Sequence, residues 1–195
     1  MAVMLAAALL CALLVYASGP WWGASVSRAH RLSAGLLTLF LAAGTGWVWP
    51  HPAQFWWSTP FVGLLVVVGV VDRVHQIIPN RLVILMAIWA LAARMQFGHW
   101  ASSALLALTV FFFYFLVSVV SRGGLGMGDV KFSGVLALAL GYPAGALSVV
   151  AGLWAAGLYA AFLLLVRRRG KRDLMALGPF LAFGGLVGVI LMLRG

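Results

Sequence analysis

Eight apolar stretches follow one another along the chain, at about residues 1–17, 32–49, 55–71, 82–97, 100–120, 132–140, 146–166 and 177–193. The punctuation between them is short. Pro50-His51-Pro52 closes the second stretch, Asp72 to Arg81 the third, Ser121 to Lys131 the fifth and Arg167 to Asp173 the seventh. Apolar runs of about 18 residues or more read as membrane-spanning helices. The pattern predicts an all-α membrane protein, a polytopic bundle of about eight transmembrane helices forming one integral membrane domain over residues 1–195.

The sixth stretch is too short for a comfortable crossing. Gly141-Tyr142-Pro143-Ala144-Gly145 interrupts it. Even counted from Asp129, its dozen residues reach only about 18 Å at about 1.5 Å each, against a hydrocarbon core of about 30 Å. Three arrangements accommodate this: the membrane thins, Asp129 lies below headgroup level, or the Gly/Pro break is itself buried in protein. Pro79 and Asn80 read as a helix start, with Pro tolerated in a first turn, and Pro179 reads the same way in the last span. Gly152, Gly157, Gly184, Gly185 and Gly188 in the last two spans read as close helix packing.

Charge orients the bundle. Only 8% of the residues are charged, and the mean hydropathy is +1.11. The formal net charge of +10 does not indicate a nucleic-acid partner, because the basic residues sit in short loops between spans, where the positive-inside rule accounts for them. With the N-terminus outside, eleven of the thirteen basic residues fall in cytoplasmic loops, and only Arg94 and Arg194 fall outside. Eight crossings with both termini outside is the arrangement that keeps them there. Residues 1–17 carry no positive charge ahead of the apolar run, so they read as a span and not as a cleaved signal peptide. Trp21-Trp22 reads as an interfacial anchor. The lone Cys11 excludes an internal disulfide and a Cys-based zinc site.

The chemistry narrows to acids. The chain has three, Asp72, Asp129 and Asp173, and no Glu. An ionisable group at or near membrane depth is costly and marks a functional site by default. Asp72 and Asp129 are separated by two predicted spans, so both lie at the same, cytoplasmic face. Two close carboxylates share one proton. The ionised member can deprotonate a water, and the protonated member can polarise a carbonyl and later protonate a leaving amine. No Ser/His/acid or Cys/His arrangement competes, and four scattered histidines with no Glu are too few for a metal site. No cofactor is expected.

The bland readings set the alternatives. Either acid could pair with Arg73, Arg81 or Lys131 at the interface. Asp173, amid Arg167 to Arg172, reads as a solvated loop charge. Lys131 could lower an acid's pKa, steady the turn or simply fix topology. His75 could hydrogen-bond Asp72, but reads first as an exposed loop residue. Gly126 and Gly128 read as positions needing positive φ or close backbone approach.

These residues together carry a resemblance. Asp72 with Ile78-Pro79-Asn80, then Gly126-x-Gly128-Asp129-x-Lys131, then Leu177-Gly178-Pro179-Phe180-Leu181-Ala182-Phe183-Gly184 is similar to the type IV prepilin peptidases, membrane aspartic proteases with a GxGD motif. The resemblance implies cleavage of a short basic leader from pilin-like or pseudopilin-like substrates of pili and type II secretion systems, at the cytoplasmic membrane face. It implies Asp72 and Asp129 as the catalytic pair, supported by Gly126, Gly128, Lys131, Pro79 and Asn80. Bifunctional members carry an N-terminal cytoplasmic insert, often with paired CxxC motifs. Here that loop spans only about residues 18–31 and has no cysteine, so the chain resembles the shorter Tad-type enzymes, and N-methylation is not expected. Two other readings remain. One is a proton- or cation-coupled transporter using the same acids, which a broken sixth helix would suit but a location at one face would not. The other is a signal-peptide-peptidase-like enzyme, against which stands Val71 where that family places Tyr.

Overall fold

The computed structural model describes residues 2–17, 27–48, 52–122, 124–166 and 176–194. Among them every regular element is helical: α1 (Ala2–Ala17), α2 (Arg28–Val48), α3 (Pro52–His75), α4 (Asn80–Phe97), α5 (Trp100–Val120), α6 (Met127–Leu140), α7 (Ala144–Leu165) and α8 (Gly178–Arg194). Each apolar stretch becomes one helix. Trp21-Trp22, Pro50-His51 and Arg167 to Asp173 lie outside the described residues.

Helix ends depart from the apolar pattern where polar residues continue a helix. α2 starts before its apolar run because Ser27 caps it, with its Oγ accepting from the His30 N–H at 3.4 Å. α3 runs past Asp72 to His75 and stops at Gln76, whose φ is 54°. Pro79 sits ahead of α4 at its N-cap, not inside the first turn. α6 begins at Met127, so Asp129 lies in the helix's first turn and not in the preceding loop.

Three helices, over Trp56–His75, Trp100–Val120 and Ala144–Leu165, are long and apolar enough to cross a membrane, and the bundle is consistent with a helical membrane protein. They are used differently. Of the apolar window of α3, 61% is buried inside the protein, against 22% for α5 and α7. α3 is therefore the core helix. Its Val62, Leu65, Val68 and Val71 pack with Phe132, Leu136 and Leu181 of α6 and α8. α5 and α7 turn Leu105, Phe112, Leu116, Leu158 and Phe162 outward. Continuous exposed apolar faces of this kind are what a bilayer covers.

α7 and α8 meet through small residues. A Cβ on Gly152 would lie 2.9 Å from the Phe180 carbonyl oxygen, and Gly184 faces Ser148 and Gly152. Gly185 and Gly188 are equally crowded, whereas Gly157 has nothing nearby. Packing thus accounts for four of the five span glycines, and Gly157 corrects the expectation.

The short α6 is held by α4 at two levels. Lys131 Nζ donates to Asn80 Oδ1 at 3.1 Å at one level. At the other, Arg94 Nη2 donates to the Ala139 carbonyl at 2.9 Å. Arg94 is 5% exposed. The topology count placed Arg94 on the outer side; it is a buried residue near the end of α4, turned inward because the last carbonyls of a helix that ends early need a donor. The break after α6 is partly buried: Gly141, with φ 67°, abuts Arg94 and Ser103, while Tyr142 and Pro143 are exposed.

Candidate active site

Asp72 stands on the last turn of the core helix and is 3% exposed. Its partner comes from the far end of the sequence. Oδ2 accepts a hydrogen bond from the Gly178 N–H at 2.8 Å. Gly178 opens α8, so this is one of the N–H groups that a helix start leaves unsatisfied, and the helix dipole favours an anion there. Pro179 follows, with no N–H of its own to satisfy. The glycine is obligatory, since a Cβ would lie 2.7 Å from Oδ2 and 2.8 Å from the carboxyl carbon. Gly178 entered the sequence reading only through the family resemblance, and its contact with Asp72 was not foreseen. The local signal was a Gly-Pro pair at the head of an apolar run.

Asp129 projects from the first turn of α6 and is half-buried, with Oδ1 buried and unpartnered. Burial first, and the Asp72 charge second, push its carboxyl up to about 7, against an opposing backbone hydrogen bond from Gly126. The two acids, separated by α4 and α5 in sequence, therefore lie within electrostatic reach of one another. Neither flanking glycine takes positive φ; Gly126 has φ −67°. Close approach is their role. A Cβ on Gly128 would lie 3.0 Å from Ile78 Cβ, and one on Gly126 would lie 3.1 Å from Asp129 Oδ2. Gly128 thereby lets the start of α6 lie against the connection that follows Asp72.

The supporting residues divide. Lys131 spends its ammonium on Asn80, which ties the start of α6 to the start of α4 and leaves the carboxylates to each other. Arg73 and Arg81 are exposed, whereas Asp72 is buried. His75 belongs to the last turn of α3 and is half-buried. Its Nε2 has no hydrogen-bond partner, so it is neither the exposed loop residue expected nor a partner of Asp72. Asp173 lies outside the described residues.

Beside Asp72 the bundle opens. A cavity of about 750 Å³ is lined by Arg73 and Gln76 from the end of α3, by Tyr159 of α7, and by Pro179, Phe180 and Phe183 of α8. Its wall is mixed, with two polar residues toward the α3 end and an aromatic cluster formed by Tyr159 and Phe180, whose rings lie 5.3 Å apart. Such a space, walled by the end of α3 and by α7 and α8, is large enough for part of a peptide segment near Asp72.

Residues 60–166 match the model of the Type IV leader peptidase family. That range includes both Asp72 and Asp129 and stops short of Gly178. Over 175 residues the chain is 29% identical to the prepilin leader peptidase/N-methyltransferase of Bacillus subtilis (strain 168), covering 86% of this chain and 71% of that protein. No solved structure matches. Neither similarity lends support to a transporter.

Proposed function

Because the chain belongs to the type IV leader peptidase family, we propose that it is a membrane aspartic endopeptidase that removes leader peptides from prepilin-like proteins, with Asp72 and Asp129 as its acid/base pair. The observation that supports this reading is that the two carboxyls lie within electrostatic reach of one another, with the start of α6 packed against Ile78 in the connection that follows Asp72. Asp129 is half-buried, and its carboxyl is pushed up to about 7 by burial first and by the Asp72 charge second, on helices that the sequence places two spans apart. Asp72, fixed by the Gly178 N–H, takes a proton from a water as its oxygen attacks the scissile carbonyl. Asp129 holds its proton and donates to the carbonyl oxygen, and the pair then protonates the leaving amine.

The same proposal places the enzyme in the bacterial cytoplasmic membrane as a single eight-span domain with both termini outside. The end of α3 and the starts of α6 and α8 then share the cytoplasmic face, where a basic leader is accessible. The cavity beside Asp72 receives the apolar segment that follows the leader. The proposal is hydrolysis alone; the N-terminal loop holds no cysteine and no methyl transfer is assigned.

The test is leader removal by the purified full chain in detergent, read as a gel shift of a co-resident prepilin. Asp72→Asn and Asp129→Asn should each lower the rate by about a thousandfold or more, while Asp173→Asn should cleave like wild type. The sign of the pH dependence follows from Asp129. Its raised carboxyl keeps the proton below about 7, so kcat should fall as pH rises through that value and both acids ionise. Full activity in Asp72→Asn, or no cleavage by wild type without an ion gradient, would sink the reading.

A further inference from the structure

Two buried polar atoms at the start of α6 lack hydrogen-bond partners: the Tyr114 hydroxyl on α5 and Asp129 Oδ1 on α6. Buried polar groups are overwhelmingly paired, so each exception calls for an explanation. Tyr114 is only 2% exposed, and packing on either side fixes its level. One turn earlier, Phe111 Cβ fills the space left by Gly134, 3.2 Å from where a Cβ would stand. One turn later, Ser118 Oγ donates to the Leu125 carbonyl at 2.8 Å. α5 and α6 therefore run antiparallel, and Tyr114, on the same face as Phe111 and Ser118, stands level with the first turn of α6. Its hydroxyl is within electrostatic reach of the Asp129 carboxyl. A phenylalanine would pack in this place without burying an unpaired hydroxyl.

We propose that Tyr114 is a third catalytic residue, whose hydroxyl donates to the scissile carbonyl oxygen alongside the Asp129 carboxyl. The inference rests on the peptidase reading above. As the water oxygen bonds to the carbonyl carbon, Asp72 takes the water proton and the carbonyl π pair moves onto oxygen. That oxyanion accepts from the Tyr114 O–H and from protonated Asp129. When the pair returns, the C–N bond breaks and the proton held by Asp72 passes to the leaving nitrogen. Tyr114 keeps its proton throughout, so its contribution is electrostatic and greatest where charge develops. The titratable groups within electrostatic reach of Asp129 are Asp72 from α3 and Tyr114 from α5, while Lys131 on its own helix donates to Asn80.

The test compares full-chain wild type and Tyr114→Phe on the same prepilin. With the oxyanion donor removed, kcat should fall about a hundredfold with KM nearly unchanged, and the melting temperature should not fall, since an unpaired buried hydroxyl is gone. A kcat retained within about twofold overturns the inference. Replacement of Tyr114 by 3,5-difluorotyrosine keeps the shape and the O–H donor, so below neutral pH it should hold kcat within about tenfold of wild type where Tyr114→Phe does not; a kcat as low as that of Tyr114→Phe also overturns it. Absence of cleavage by wild type would overturn the peptidase reading instead.

Discussion

At its first turn α6 carries Asp129, within electrostatic reach of Asp72, whose helix end borders a space of about 750 Å³; at its last turn the Ala139 carbonyl accepts from Arg94 in a region whose cavity is about 30 Å³. Both ends obey the helix dipole, with an acid at the N-terminus and a cation at the C-terminus. Arg94 is buried and Asp129 half-buried, and both ends leave buried polar atoms open, since Arg94 Nε and Ser103 Oγ are as unpartnered as Asp129 Oδ1. What separates them is access. A space near 30 Å³ is about a single water's share of liquid volume, whereas the larger one admits a peptide. A buried charge in an apolar bundle is thus a weak sign of chemistry until the adjoining volume is known. By that criterion the first turn is the proposed reactive end and the last turn a clamp.

If that division is right, substitutions at the reactive end should remove turnover and spare the fold, and those at the clamp should do the reverse. Gly178→Ala gives the largest expected effect outside the acids themselves. The added methyl would push into the Asp72 carboxyl at 2.7–2.8 Å, and a displacement near 1 Å in a catalytic group costs about a hundredfold in rate. The cleavage assay should show that loss in kcat while the melting temperature of the detergent-solubilised protein moves little. A Gly178→Ala enzyme with wild-type kcat would mean that the Asp72–Gly178 contact does not position the carboxylate.

Arg94→Met comes next. It strands the Ala139 carbonyl, and an unpaired buried acceptor costs about 1–3 kcal/mol, so thermal or denaturant unfolding should come earlier. Turnover per folded molecule should stay within about threefold. A large fall in kcat without loss of stability would break the comparison and make the far end of α6 part of the reactive apparatus.

Most of this division was only partly legible in the sequence. Hydrophobic patterning located all eight helices because each needs a continuous apolar run. The ends slipped where Asp72–His75 and Met127–Lys131 continue a helix through polar residues, which hydropathy cannot register but caps and a positive-φ residue can. The proximity of Asp72 and Asp129 was partly legible because three acids in so apolar a chain leave few candidates. Gly178, Tyr114 and the buried setting of Arg94 were not, because each depends on a neighbour from a distant helix. A glycine before a proline, a tyrosine in an apolar run and an arginine near a span end all have ordinary local explanations. Their significance comes from Asp72, Asp129 and Ala139, which only the packing brings to them.

Lys131 gives the smallest and most discriminating prediction. It stands two residues from Asp129, and sequence alone leaves room for an electrostatic role on the acid. The side chain instead reaches Asn80 at 3.1 Å, in an exposed position where such a bond is worth about 0.5–1 kcal/mol at most. Lys131→Met should therefore lower stability by no more than that and change kcat by less than about threefold. The fall in activity near pH 7 should stay where Asp129 puts it, since burial and Asp72 set that carboxyl. Asn80→Ala should match it, and the double variant should be no worse than either single one, because both remove the same bond. If Lys131→Met instead moves the alkaline limb while Asn80→Ala does not, the ammonium acts on the dyad directly and the reactive end of α6 extends one residue pair further than the geometry places it.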